Sequence, residues 1–146
     1  MRNFHALLLI GLFAVGGCMS ARRTKTSEAT DGFYVASSKD SQLQVRVPRP
    51  SDGHIITIPV EQFGGFVPAR VDVFDTPDGT YVQVSGRATM EGWSKQPVIL
   101  VANGKPYVEL SRSDQPLDRS ARVSLITPTH AEADTVASAL RKRYSL

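Results

Sequence analysis

From residue 43 onward, apolar and polar positions alternate with a period of two. Leu43, Val45 and Val47 alternate with Gln42, Gln44 and Arg46, and Ile56, Ile58 and Val60 share one parity. The same spacing joins Val71 to Val73, Val82 to Val84 and Val108 to Leu110. Successive side chains of a strand point to opposite faces, so this pattern predicts an antiparallel sheet with one face buried and one in water. Val98-Ile99-Leu100-Val101 is instead a continuous apolar run followed by Ala102, which predicts a central strand covered on both sides. Ser51-Asp52-Gly53, Pro77-Asp78-Gly79 and Asn103-Gly104 lie where strands must reverse. Asn103-Gly104 is the strongest hairpin signal, because both residues tolerate the positive φ of a type I′ turn. It predicts pairing of residues 97–102 with 105–111. Gly86, inside the longest predicted strand, is expected to mark a bulge or a close backbone approach.

The period changes only near the end of the chain. Ala133, Val136, Ala137, Leu140 and Tyr144 follow helical spacing. Pro128 stops the preceding strand, Thr129 and Glu132 form a capping-box pattern, and Arg141, Lys142 and Arg143 complement the negative helix end. A helix over 130–144 follows, with one face packed on the sheet. About seven to eight strands and one C-terminal helix predict a mainly β fold, either an antiparallel sandwich or a partly open barrel, in a single domain over residues 33–146. The order of elements resembles that of pleckstrin-homology domains, a likeness of arrangement that implies no function.

The N-terminus reads differently. Arg2 precedes an apolar run from Ala6 to Val15 that ends in Gly16-Gly17-Cys18, the layout of a secretory signal over residues 1–17. As a helix that run reaches roughly 15 Å, about half of a hydrocarbon core, so a permanent transmembrane span is disfavoured. Cys18 is the sole cysteine, and with Val15-Gly16-Gly17 before it the segment resembles the lipobox of bacterial lipoproteins. The resemblance covers residues 1–18 only, with Val15 in place of the usual Leu and Gly16 in place of Ala or Ser. It implies cleavage before Cys18 and acylation of Cys18, so that membrane lipid holds the chain. Met19 stands where Asp would retain such a protein at the inner membrane, which implies a periplasm-facing anchor in the outer membrane of a double-membraned host. Residues 18–32 are rich in Ser, Thr, Ala and charge and read as a tether. Within it Arg22, Arg23 and Lys25 are placed either to meet anionic lipid or simply to be solvated.

Composition narrows the chemistry. The chain has 146 residues and a net charge of +3, too mild an excess to predict a nucleic-acid partner. One cysteine forms no internal disulfide and no Cys-based metal site. His54 and His130 remain once His5 leaves with the signal, and both are expected to be structural or exposed. Asp72, Asp75 and Asp78 are three apart, which does not match the ligand spacing of an EF-hand loop. No Gly-x-Ser-x-Gly elbow and no Gly-x-x-x-x-Gly-Lys loop occurs. No catalytic residue, metal ligand or cofactor site is therefore assigned.

Two segments qualify as contact surfaces. Trp93, the only tryptophan, lies between two predicted strands, either as a partner anchor or folded back as a lid on the core. Phe63 and Phe66 flank a Gly-Gly pivot, either stapling the core or presenting an apolar tip. The leading functional expectation is a non-catalytic binding or envelope-assembly module with a protein partner in the envelope. The alternatives are an inhibitor or immunity-type lipoprotein and, last, an envelope hydrolase, which would require His54 or His130 to share a pocket with a carboxylate and a hydroxyl.

Overall fold

A computed structural model describes residues 26–37, 41–114 and 119–146. The signal segment, Cys18 and the basic residues 22, 23 and 25 lie outside the described residues. The strands, in chain order, are β1 (Ser27–Glu28), β2 (Gly32–Ala36), β3 (Leu43–Pro48), β4 (Ile55–Gln62), β5 (Phe66–Thr76), β6 (Gly79–Ala88), β7 (Val98–Ala102), β8 (Lys105–Tyr107), β9 (Ser111–Asp114) and β10 (Ser120–Thr127). A 3₁₀ turn spans Trp93–Lys95, and helix α1 spans His130–Tyr144. The fold is mainly β: a curled six-stranded sheet, ordered β1-β3-β4-β2-β7-β8, and a four-stranded sheet, ordered β5-β6-β10-β9, with α1 at the C-terminus. The described strands number ten rather than seven or eight, because β1 and β8 have only two and three residues, too few to show a period.

β7 explains how two cores coexist. All five of its residues are buried, as expected for a strand covered on both faces. Val98, Leu100 and Ala102 point, with Phe33 of β2, into a core shared with Val71, Val82, Val84, Val123 and Leu125 of the second sheet. Ala133, Val136, Ala137 and Leu140 of α1 close that core. The alternate residues Ile99 and Val101 point the other way, joining Tyr34, Val45, Val47 and Val60 in a smaller core inside the curl of the first sheet. Parity along one short strand thus feeds two apolar clusters on opposite faces.

Local chemistry sets the connections. Asn103 and Gly104 both have positive φ, 50° and 73°, as a type I′ turn requires. The hairpin they close is shorter than its apolar pattern suggested, since pairing runs from Ala102↔Lys105 to Leu100↔Tyr107. The chain then leaves the sheet, and β9 pairs with β10 in the other one. Pro106 lies within β8 opposite Val101 and supplies no N–H to any further strand, which suits an edge. Gly86 faces Pro68 where the β5–β6 register shifts. A Cβ there would sit 2.1 Å from the Val67 carbonyl oxygen, so the expected close backbone approach is observed.

The N-terminal boundary moves. Residues 18–32 were expected to be tether throughout, but Ser27 and Glu28 pair in parallel with Leu43 and Gln44. Ser27 N–H donates to Gln42 O at 2.7 Å and Ala29 N–H to Gln44 O at 2.9 Å. Backbone pairing needs no large apolar side chain, which is why composition concealed it. At the other end, Thr129 Oγ1 accepts from Glu132 N–H at 3.2 Å, as the capping pattern predicts. The Glu132 carboxylate reaches β8 instead of closing the box, accepting from Lys105 Nζ at 2.5 Å and Tyr107 Oη at 2.8 Å.

Candidate functional site

The two contact segments expected from sequence are folded inward. Trp93 is 0% exposed and stacks on Phe66 with ring centroids 5.1 Å apart. Phe66 is itself buried and meets Phe33 edge to face at 5.4 Å. Trp93 and Phe66 are therefore core residues, in line with the lid and staple alternatives, and not the outward contacts that were the other alternative at these positions. Phe63 is half-buried against the same cluster, and its ring lies so close over Gly65 that a Cβ there would overlap it. The Gly-Gly pivot carries the chain from the first sheet to the second, and water exclusion draws its flanking aromatics into the space between them. Burial also leaves Trp93 Nε1 without an acceptor among the described residues.

His130 does join a carboxylate and a hydroxyl, though not in a catalytic order. Its Nδ1 lies 3.0 and 3.1 Å from the two oxygens of Asp75, at the end of β5. The Thr80 hydroxyl donates to Asp75 Oδ1 at 2.7 Å. The other ring nitrogen lies 3.5 Å from Asp134 Oδ2. Both nitrogens thus face carboxylates, and the hydroxyl bonds the acid rather than the base, so no nucleophile is activated. His54 is exposed, with its backbone N–H donating to Asp52 at 3.0 Å. The three-apart aspartates do not converge either: Asp75 meets His130, whereas Asp72 pairs with Arg70 at 2.8 Å. Among the described residues no group of His, Cys, Asp and Glu is placed to hold a metal ion.

The His130–Asp75 pair is a pH-sensitive tie between α1 and the β5–β6 hairpin. Its hydrogen bond to Asp75, then the charges of Asp75 and Asp134, hold the imidazole above its usual value of 6.5. The same bond, helped by Thr80, holds Asp75 below its usual 3.8. The His130 contribution to stability is complete below about pH 6.5 and is lost as pH rises through the raised folded value. The Asp75 contribution is complete above about pH 4 and is lost as pH falls through the lowered folded value. Titrating His130 by NMR should give a midpoint above 6.5, and Asp75→Asn should bring it down. An unchanged midpoint in that variant would disprove the tie. The change in unfolding midpoint should be small, because both partners are exposed.

An apolar concavity lies elsewhere. Between the β8–β9 connection and the outer face of the four-stranded sheet runs a groove of about 690 Å³, lined by Pro48, Tyr81, Val108, Leu110 and Ile126 among others. Ile126 is 53% exposed and Val108 42%. Cross-strand register places Phe74, Tyr81 and Ile126 in one row on that outer face, and Phe74 stacks on Tyr81 at 5.7 Å. At the seam between the sheets the groove adjoins a second cleft, with Pro48 and Val108 common to both. Sequence reasoning passed over this surface, although a signal was present. Phe74, Tyr81 and Ile126 stand at the water-facing parity of strands whose alternate residues Val73, Val82 and Leu125 point inward.

No family model, curated protein or solved structure matches the chain.

Proposed function

We propose that this chain is an envelope lipoprotein, anchored through acylated Cys18, whose β domain is a non-catalytic binding or assembly module engaging a protein partner along the groove at Val108 and Ile126. The observation that carries this reading is the apolar row of exposed Phe74, half-buried Tyr81 and exposed Ile126, of which Tyr81 and Ile126 line that groove. Exposed contiguous apolar surface on a small domain is a recurrent mark of protein contact. It gives the module a contact face that does not require Trp93 or Phe66 to leave the core. The lipobox resemblance at Val15-Gly16-Gly17-Cys18 supports the anchor and the periplasm-facing location at the outer membrane.

The test pairs a photo-crosslinking residue at Val108 or Ile126 with a control at exposed Lys142 on α1, in cells that make the full chain. A discrete adduct from the first two positions, absent at Lys142 and abolished by a charged substitution at Phe74, is the expected result. Equal labelling at all three positions would refute a specific groove. Mass spectrometry of the same preparation should find a lipid-modified Cys18 at the N-terminus, and an unmodified Cys18 would refute the anchor.

A further inference from the structure

We propose that the open end of the curled sheet binds an unbranched alkyl chain ending in an anionic headgroup, with the chain inside the curl and the headgroup on Arg112. Among the described residues the interior of the curl is closed at one end and open at the other, as β4 shows. Val60, Ile58 and Ile56 all point inward, opposite Leu43, Val45 and Val47 of β3. Val60 is fully buried, whereas Ile58 and Ile56 are half-exposed. The cause is topological: among the described residues the chain of β2 follows β4 from Gln62 only as far as Pro59, with Ala36 the last register partner and Ser37 N–H donating to Pro59 O at 2.9 Å. The first half of β4 therefore turns its apolar inner face toward a cleft of about 280 Å³, lined by Ala36, Val47, Ile56, Ile58 and Ile99 together with Arg112. The mouth of a small barrel is a recurrent ligand position, and this volume lies near the lower limit for such sites, which suits a narrow ligand.

Arg112 supplies the polar end. It belongs to β9 in the other sheet and is held at the rim through Nη1, which donates to the carbonyls of Gln96 and of Trp93. Desolvation lowers its pKa, and among the described residues no carboxylate pairs with it. Two backbone carbonyls occupy a single nitrogen of a guanidinium that carries five N–H donors in a fork. A partly desolvated cation with no counter-charge among the described residues, fixed beside an apolar cleft, is complementary to an anionic oxygen headgroup on an apolar tail. An uncharged apolar ligand would leave the cation unmet, and a small free anion would leave the cleft wet. Carboxylate and phosphate headgroups share the required chemistry. This inference is independent of any protein in the neighbouring groove.

The full chain carrying Cys18→Ser, so that no acyl group of its own can compete, is titrated while isoleucine methyl signals are followed by NMR. Decanoate and decyl phosphate should saturate, with shifts at Ile56, Ile58 and Ile99 and none at Ile126. Decanol should bind at least tenfold more weakly than the tighter of the two, whose identity then names the headgroup, and acetate should give no shift. Arg112→Met should bring the anionic ligands down to the affinity of decanol while leaving decanol unchanged. Should that variant fail to fold, the ratio of decanoate to decanol on the parent chain decides by itself. Equal affinities for charged and uncharged chains, shifts that never saturate, or shifts centred on Ile126 would each overturn the proposal.

Discussion

Trp93→Ala is expected to lower the stability of the domain by about 3–5 kcal/mol, the usual range for emptying a buried aromatic site. The indole is fully enclosed and stacked on Phe66, which in turn packs edge to face on Phe33 of the other sheet. Removing it opens a void where the two sheets meet, and rings held at 5.1 and 5.4 Å on one another collapse poorly into such a space. Trp93→Phe should retain most of the stability, because it keeps a stacked ring and removes an N–H that has no acceptor, a group whose burial costs about 1–3 kcal/mol. Urea melts of the two variants separate the contributions. A wild-type midpoint in Trp93→Ala would contradict the core position, as would fluorescence of the native Trp93 that a polar quencher readily suppresses.

Leu140→Ala should lower stability by about 2–5 kcal/mol. Leu140 is fully buried between the sheets, and the last turns of α1 around it are tied at three further points. Arg141 Nη2 donates to Val71 O at 2.7 Å, Arg143 Nε to Asp31 O at 2.8 Å, and Phe33 N–H to Tyr144 Oη at 3.1 Å. Burial at Tyr144 raises the phenol's pKa above its ordinary value, so it stays a neutral hydroxyl able to accept that bond. These contacts reach β5 and the start of β2, so the helix end clasps both sheets. Lys142→Ala, exposed on the same turn, serves as the control and should shift the urea midpoint little. Equal midpoints for the two variants would mean that α1 is an appendage.

The strands were legible wherever one face is wet, because burial on one side alone imposes the two-residue period seen at Val45-Val47 and Val82-Val84. The five-residue apolar run of β7 also declared its double coverage, and Thr129, Glu132 and the terminal basic residues marked α1 before its packing was known. Strand order was not legible. Nothing in the sequence places β2 between β4 and β7 or sends β9 to the other sheet, since both depend on non-local pairing. Trp93 shows a second limit: a lone aromatic in a connection has no period, so sequence cannot assign it a face. Phe74, Tyr81 and Ile126 show the reverse, for their parity was readable but each is unremarkable until cross-strand register aligns them.

The parallel pairing of β1 also has a mechanical side. A pull on the chain ahead of Ser27 runs along the strand axis, past the Leu43 end of β3, and loads the bonds to Gln42 and Gln44 together in shear. Those two bonds, with the one from Tyr34 Oη to Thr30 O, form a short fastening. Beyond it the load meets β2, which is flanked by strands on both sides and carries buried Phe33 and Tyr34. Release would free residues 27–31, a segment of roughly 17 Å when fully extended. A load applied from the N-terminal side is thus met first by β1, the shortest of the described strands.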